Sequence, residues 1–178
     1  MKTMLIIDMQ KLSFTPKTPR YKSEQVINVI NKVAMAMRKN GDQVIYIQHD
    51  GSPMNFCYPN TTEWEILDEL TVEKGDLKIG KSANDAFYNS TLLKTLHKIN
   101  PEELIITGCA TDFCVDATVK TALVQDFNTT VIADGHTTAD RPFVTAKQVI
   151  DHYNWLWNDF SPTKGCLRSV SCEEFLIL

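Results

Sequence analysis

The chain has 178 residues, of which 43% are hydrophobic and 22% charged, a composition typical of a soluble globular protein. Its formal net charge of -4 and its pI near 5.5 argue against a surface that binds nucleic acid or an anionic membrane. The length predicts one domain over residues 1–178, with a core that needs no disulfide or metal to hold it. We therefore expect a small-molecule substrate or another protein subunit as the partner.

The cysteines and the N-terminal segment predict the compartment. The five cysteines form an odd number without a CxxC pair, which favours free thiols in a reducing compartment. The apolar run at the N-terminus meets Asp8 too early for a secretory signal, and no apolar stretch reaches the 18 residues of a membrane span. We expect a cytoplasmic protein that does not associate with membranes.

The first quarter of the chain predicts two strands around a helix. Residues 3–7 and 44–48 are short apolar runs typical of buried strands. Residues 11–22 contain two prolines and predict a loop, after which an apolar helical period runs over 23–40.

The pattern is weaker in the next part of the chain. Residues 63–70 have the spacing of a short helix, and 77–79 predict a short strand just before Lys81. A helix is predicted from Ser90 or Thr91 to Asn100, where Asn-Pro ends it.

The remainder again alternates strands and helices. Strands are predicted at 104–107 and 130–133, with a helix at 111–125 between them. A long helix is expected to begin near Pro142, and 169–171 is expected to form an edge strand.

This alternation predicts an α/β fold with a mostly parallel sheet and helices on both faces. In such sheets the functional sites lie at the carboxyl ends of the strands. Three groups with useful chemistry follow such ends, namely Asp8, Lys81 and Cys114.

Cys114 is the candidate nucleophile. It falls in the first turn of the predicted helix 111–125, where unpaired N–H groups and the helix dipole favour the thiolate and should lower the thiol pKa. The alternative is that Cys114 is a small buried hydrophobic residue.

Asp8 and Lys81 are the candidate partners of that thiol. A carboxylate at the end of a central strand is costly to bury unless it is paired or shares a proton, and Lys81 would supply the positive charge. The alternatives are a structural hydrogen bond for Asp8 and a solvated surface position for Lys81.

Four further residues are candidates for substrate binding. Phe14, Trp64 and Phe87 stand near predicted strand ends and would wall a pocket, with core packing as the alternative. His136 follows an Asp-Gly turn, from which it either reaches the site or hydrogen-bonds its own loop.

The sequence predicts no metal site and no cofactor. Asp50 has no second ligand nearby, and the four histidines are too scattered to form a ligand cluster. Residues 108–111 have neither the glycine spacing of a dinucleotide site nor the lysine of a phosphate-binding loop.

Three segments in this order, covering nearly the whole chain, resemble the isochorismatase-like cysteine hydrolases, whose relatives include nicotinamidases and N-carbamoylsarcosine amidohydrolase. They are Leu5-Ile6-Ile7-Asp8-Met9-Gln10, Lys81 with Ala86-Phe87, and Gly108-Cys109-Ala110-Thr111-Asp112-Phe113-Cys114-Val115-Asp116-Ala117-Thr118. The resemblance implies a Rossmann-like three-layer α/β/α sandwich with a six-stranded sheet, and a homo-oligomer.

The resemblance also implies a site. Its catalytic triad would be Asp8, Lys81 and Cys114, and a cis peptide between Cys109 and Ala110 would turn the Ala110 N–H toward that of Cys114 to form an oxyanion hole. The implied activity is hydrolysis of an amide or carbamoyl C–N bond through a thioester. Nicotinamidases bind a metal through one Asp and two His, and Asp50 stands here without those two histidines, which argues against nicotinamidase activity. Isochorismatases proper need no cysteine nucleophile, so the presence of Cys114 favours hydrolysis of a C–N bond.

Three other functions remain open at this point. The chain could be an isochorismatase-type hydrolase of another bond. It could be a thiol-based sensor of oxidants or electrophiles that uses Cys109 and Cys114. It could also be a catalytically silent member of the family that serves as a binding module.

Overall fold

The computed structural model describes residues 1–177 and contains a single six-stranded sheet within that range. Every neighbouring pair of strands runs parallel, which confirms the α/β prediction and makes the sheet parallel throughout. The strands stand in the order β3-β2-β1-β4-β5-β6 and span β1 Thr3–Ile7, β2 Gln43–His49, β3 Leu77–Lys81, β4 Leu104–Cys109, β5 Thr129–Thr137 and β6 Leu167–Val170.

Helices cover both faces of this sheet. On the central strand β1, Met4 and Ile6 pack into one apolar cluster while Leu5 and Ile7 pack into another on the opposite face, as the alternation of strand side chains requires. The first cluster is covered by α1 (Ser23–Lys39) and α5 (Cys172–Ile177), and the second by α2 (Leu92–Ile99), α3 (Asp116–Val124) and α4 (Ala146–Asp159). No helix within residues 1–177 is both long and apolar enough to cross a bilayer.

The chain reverses its direction of travel across the sheet between β1 and β4. From β1 it proceeds through β2 to β3 at one edge, and from β4 through β5 to β6 at the other. Such a switch point opens a crevice at the carboxyl ends of the two central strands. β4 approaches β1 so closely that a Cβ on Gly108, whose φ is +123°, would lie 2.1 Å from the carbonyl oxygen of Ile7.

The predicted helix over 63–70 is wrong. The structure has only a 3-10 turn at Thr62–Trp64, after which the chain is irregular. Ile66 forms an isolated antiparallel bridge with Gln10, and the Leu67 N–H donates to the Met9 carbonyl. Leu67 and its neighbours therefore reach the core as an extended segment beside the end of β1, where tertiary contacts override the helical spacing.

Two other boundaries differ from the predictions by four residues. α4 begins at Ala146 rather than near Pro142, because Thr145 forms a capping box with Gln148 that fixes the first turn. β5 continues four residues beyond the predicted Ala133, to Thr137, and rejoins β4 after a shift in register.

Candidate active site

Asp8 directly follows β1 at the switch point of the sheet. Its backbone φ is 49°, in the left-handed region that costs a residue with a side chain on the order of 1–3 kcal/mol. The Asp8 N–H donates to the carbonyl of Ile47 in the neighbouring strand at 2.9 Å, which helps to hold this conformation. The carboxylate consequently lies at the carboxyl edge of the sheet, where the strands end, and only 7% of the Asp8 side chain is exposed.

Lys81, the last residue of β3, reaches this carboxylate across the end of β2. Its Nζ lies 2.7 Å from Asp8 Oδ2 and also donates to the carbonyl of Ala83 at 2.8 Å. The Lys81 side chain is wholly buried, so the charge would be costly without this partner. Asp8 Oδ1, in contrast, is buried without a hydrogen-bond partner in the described part of the chain.

Cys114 lies in a single π-helical turn, Thr111–Val115, that precedes α3. The Val115 N–H donates to the Ala110 carbonyl, five residues earlier, which widens the turn. Single π turns of this kind occur frequently at functional sites. The Cys114 thiol is partly exposed and donates to Asn84 Oδ1 at 3.5 Å.

The surroundings of Cys114 raise its pKa. Burial contributes most because it disfavours the thiolate, and the Asp8 carboxylate adds to the rise, while Lys81 opposes it. The expectation that the helix start would lower this pKa is wrong, since burial and a neighbouring negative charge raise it. Cys114 is therefore a thiol beside the Asp8–Lys81 pair.

A cavity of about 280 Å³ opens above this pair at the carboxyl edge of the sheet. The peptide bond between Cys109 and Ala110 is cis, and both residues line the cavity together with Cys114. Lys81 lies beneath Asp8 and does not line the cavity. The other lining residues are Gln10, Leu12, Ser13, Arg20, His49, Met54, Phe56, Asn84, Phe113 and Arg141.

His49, the last residue of β2, stands next to the charge pair. Its Nδ1 lies 3.5 Å from Lys81 Nζ, and its ring stacks on Phe56 with a centroid separation of 5.7 Å. Burial, and then the Lys81 charge, lower the pKa of His49. The ring is therefore neutral at neutral pH, and it contributes a polar wall without adding charge.

A second ion pair flanks the cavity. Arg141 donates from Nε and Nη2 to the two carboxylate oxygens of Asp112, at 2.8 and 2.9 Å. Thr138 donates to the same carboxylate, and the guanidinium lies 4.8 Å from the ring centroid of Phe113. These contacts fix the orientation of the π turn that carries Cys114.

The sequence profile of the isochorismatase domain matches residues 2–154. The chain belongs to the isochorismatase family.

Two curated members of the family show how far the similarity extends. Streptothricin hydrolase from Streptomyces noursei is 28% identical over 141 residues, which is 78% of this chain and 55% of that protein. Ureidoacrylate amidohydrolase RutB from Caulobacter vibrioides is 29% identical over 110 residues, covering 59% of this chain and 49% of that protein. The chain thus spans about half the length of these two relatives.

The fold is also that of the isochorismatase family, since the crystal structure of an isochorismatase family protein aligns with a TM-score of 0.86 at 25% identity over 96% of this chain and 98% of that one. The crystal structure of a cysteine hydrolase from Pseudomonas syringae pv. phaseolicola aligns with a TM-score of 0.88 at 19% identity. The alignment covers 99% of this chain and 91% of that one. The six-stranded sheet and both helical layers are therefore shared.

In this family member, the aromatic residues singled out as substrate-binding candidates do not line the cavity. Phe14 packs against the apolar cluster under α1, and Phe87 is buried in the opposite cluster, where it stacks on Phe127 at 6.2 Å. Trp64 contributes its backbone carbonyl, which accepts from the side chain amides of Gln10 and Gln48. These three rings therefore lie outside the cavity that Cys114 lines, because each packs in the core or against a loop.

His136 also lies outside the cavity. It is fully buried behind the π turn that carries Cys114, where its Nδ1 lies 2.9 Å from Thr111 Oγ1 and its Nε2 lies 3.0 Å from Asn154 Oδ1. Because the Asn154 oxygen only accepts, we assign the Nε2–H tautomer, with Nδ1 accepting from Thr111. His136 supports the turn from behind and does not reach a substrate.

Several residues of the cavity were not singled out in the sequence. His49 stands at the carboxyl end of β2, so the rule that pointed to Asp8 also applied to it. Arg20, Asn84 and Arg141 lie on loops whose paths depend on distant contacts, and no local pattern distinguishes them.

Asp50 has a local structural role. Its carboxylate accepts from both the backbone N–H and the hydroxyl of Ser52, which closes the turn after β2. Among residues 1–177, no three His, Cys, Asp or Glu side chains are grouped to hold a metal ion.

Proposed function

We propose that the chain hydrolyses an amide or carbamoyl C–N bond in a small molecule through a thioester on Cys114. The observation that carries this proposal is the buried Asp8–Lys81 pair, which lies beside a thiol at the floor of a small cavity. The names of the two curated relatives, a hydrolase and an amidohydrolase, support the same type of reaction.

The reaction begins with a proton transfer. Asp8 Oδ1, which has no hydrogen-bond partner within residues 1–177, accepts the proton of the Cys114 thiol, which becomes a thiolate as the substrate enters. Lys81 stabilises that thiolate, because its positive charge lowers the Cys114 pKa. The raised pKa keeps the thiol inert until a carbonyl is in place.

The thiolate then attacks the carbonyl carbon of the substrate. A C–S bond forms, and the carbonyl electron pair moves to the oxygen, which accepts hydrogen bonds from the Ala110 and Cys114 N–H groups. Each such donor contributes on the order of 3 kcal/mol in comparable sites. When the tetrahedral intermediate collapses, the C–N bond breaks and Asp8 returns its proton to the departing nitrogen.

Water completes the cycle. It gives a proton to Asp8 and attacks the thioester carbonyl, and the C–S bond breaks as the acid product leaves. The proton on Asp8 returns to the Cys114 sulfur, so that each turnover consumes one water and releases one amine and one acid. Carbamoyl substrates follow the same steps through a thiocarbamate.

The direct test is the Cys114→Ala variant, assayed with a panel of primary amides and ureides. We expect no turnover of any compound that the wild-type protein hydrolyses. Cys166→Ala is the matched control, since Cys166 is an exposed cysteine away from the cavity. Unchanged turnover by Cys114→Ala would contradict the proposal.

Two observations disfavour the alternative of a thiol sensor. Cys109 is fully buried, and this burial raises its pKa to about 12. The pKa of Cys114 is also raised. Sensor cysteines need thiolate character and access to the oxidant. Because their pKa values are raised, neither Cys109 nor Cys114 has thiolate character. Hydrolysis of a bond other than C–N would use the same residues, and a failure of the wild-type protein to hydrolyse any amide or ureide of the panel would favour it.

Assembly and location stay predictions. We propose a homo-oligomer in the cytoplasm, with a small-molecule substrate and with no nucleic-acid or membrane partner. The exposed aromatic rings of Trp155 and Phe160, near the end of α4, are the surface that we propose for subunit contact. Light scattering after chromatography would measure the mass in solution, and a monomer would contradict the proposal.

A further inference from the structure

Arg20 is a charged residue of the cavity wall that the hydrolytic steps leave unused. It precedes α1 in a proline-containing loop and lines the cavity with Ala110 and Cys114. Its Nε donates to the carbonyl of Ser13 at 2.6 Å. Within residues 1–177, its terminal Nη groups have no hydrogen-bond acceptor and no carboxylate lies within salt-bridge distance, so the outer edge of the guanidinium is available.

The other charges at the cavity are neutralised in pairs. Asp8 is paired with Lys81 beneath it, and Arg141 is paired with Asp112 through two hydrogen bonds. In the described part of the chain, Arg20 is therefore the one lining charge without a partner of opposite sign. Its field favours an anion in the cavity, since a partly enclosed site screens charge less than water does.

The Ser13 contact also orients Arg20. A guanidinium held through Nε keeps its two Nη groups available as a planar fork, the geometry that matches both oxygens of a carboxylate. The positive charge of Arg20 acts on Cys109, which also lines the cavity. It lowers the pKa of this buried thiol, although burial has the larger effect and raises it. The wall of the same cavity includes the apolar side chains of Leu12 and Phe113.

We infer that the substrate is an anion: a small amide or ureide whose far end carries a carboxylate bound by Arg20 while its scissile carbonyl meets Cys114. The inference rests on the proposed function for the scissile end only. The short apolar wall fits a hydrocarbon spacer between the two polar ends. Arg20 is a binding residue that selects the substrate by charge.

The test uses pairs of compounds that differ only in this charge. Each pair consists of an ω-ureido or ω-amido carboxylic acid and the alcohol that replaces its carboxylate with a hydroxymethyl group, for example N-carbamoyl-β-alanine and 3-ureidopropan-1-ol. Binding is measured calorimetrically on the Cys114→Ala protein, and hydrolysis is measured on the Cys114-containing protein. A series with spacers of one to four carbons varies the distance between the two polar ends of the compound.

We expect the acids to bind in preference to the alcohols, and Arg20→Gln to weaken the binding of the acids by about 10- to 100-fold, the loss of a charge-assisted pair. For an acid that is hydrolysed, KM should rise while kcat stays nearly constant, because the contact is made equally before and during the chemical step. Arg20→Lys should restore part of the affinity. Lys17→Gln is the matched control, since it removes the same charge from an exposed position in the same loop.

Three results would overturn the inference. They are the absence of binding by every acid of the series, equal binding of acids and alcohols, and an Arg20→Gln loss that is the same for both. The last would give Arg20 a merely structural role, which thermal melting of the variant would register as well. Because binding is measured without Cys114, a failure of the hydrolytic proposal leaves these results interpretable: hydrolysis that persists in Cys114→Ala contradicts only the proposed mechanism.

Discussion

Lys81 Nζ lies 2.7 Å from Asp8 Oδ2, and the two residues stand at the ends of strands β3 and β1 with β2 between them. The lysine side chain is fully buried, and the aspartate side chain is nearly so. Separating such a pair leaves an uncompensated charge in the protein interior, which costs far more than the pair itself contributes. Removing one charge of the Asp8–Lys81 pair should therefore lower the stability of the fold as well as the activity of the site.

Lys81→Met should show this coupling directly. We expect the variant to lose about 3 to 5 kcal/mol of unfolding free energy, because the Asp8 carboxylate remains buried without its partner. Turnover should fall by about 100- to 1,000-fold, since the charge that stabilises the thiolate is gone. Urea denaturation and steady-state kinetics measure the two effects.

The double variant Asp8→Asn/Lys81→Met is the matched control for that experiment. It removes both charges and should recover much of the lost stability but none of the activity. A double variant as unstable as Lys81→Met would show that lost packing, and not the unpaired carboxylate, causes the destabilisation.

Asp8→Asn should have opposite effects on thiol reactivity and on turnover. Removing the carboxylate removes one cause of the raised Cys114 pKa and leaves Lys81, which lowers it. The thiolate fraction at pH 8 therefore rises, and alkylation of Cys114 by iodoacetamide becomes faster. Turnover should nevertheless fall by about 100- to 10,000-fold, because the general base is absent.

Mass spectrometry of the alkylated peptides measures this rate, with the exposed Cys166 as an internal reference in the same samples. In the wild-type protein, Cys114 should react more slowly than Cys166. Faster alkylation of Cys114 in the wild type than in Asp8→Asn would contradict the assignment of Asp8 as a neighbour that disfavours the thiolate.

His136 should make the fold sensitive to mild acid. Burial lowers the pKa of His136 to about 4, whereas an unfolded chain has the ordinary value near 6.5. Because the folded pKa is the lower one, neutral His136 makes its full contribution to the free energy of unfolding above pH 6.5. This contribution is lost as the pH falls from 6.5 to about 4. The loss is on the order of 3 kcal/mol.

Chemical denaturation at a series of pH values measures this loss. His136→Gln should flatten the decline over that window, and the exposed His97→Gln is the control that should leave it unchanged. An equally steep decline in His136→Gln would assign the acid sensitivity to the carboxylates.

Gly108→Ala should be severely destabilising. A Cβ at this position would lie 2.1 Å from the Ile7 carbonyl oxygen, and the φ of +123° is unfavourable for any residue with a side chain. We expect a loss of more than about 4 kcal/mol, measured by denaturation. Gly80→Ala is the matched control, because a Cβ at this strand glycine would have no atom within 4 Å and should cost little.

The sequence predicted the centre of the sheet well because the relevant signals are local. The apolar run before Asp8 and the break after 104–107 identify two adjacent buried strands, and the parallel order places their carboxyl ends together. The predicted helix over 63–70 failed because Ile66 and Leu67 form backbone bonds with the segment after β1, which no helical spacing reveals.

The chemistry of the site was less accessible from sequence than its position. The pKa of Cys114 depends on burial and on Asp8, which follows β1 and is distant in the sequence, so the dipole argument gave the wrong sign. Phe87 and His136 stand close in sequence to site segments but face the core. Arg20 is brought to the cavity by a loop whose course is set by tertiary contacts.

The most direct test of the central claim is to trap the acyl group on Cys114 during turnover. A hydrolysed substrate should be mixed with the protein, quenched in acid within milliseconds to seconds and digested for mass spectrometry. We expect the Cys114 peptide to gain the mass of the acyl group, and added hydroxylamine to divert that group to the hydroxamate. Rapid turnover with no acyl group on Cys114, in a protein whose Cys114→Ala variant still hydrolyses the same substrate, would contradict the account.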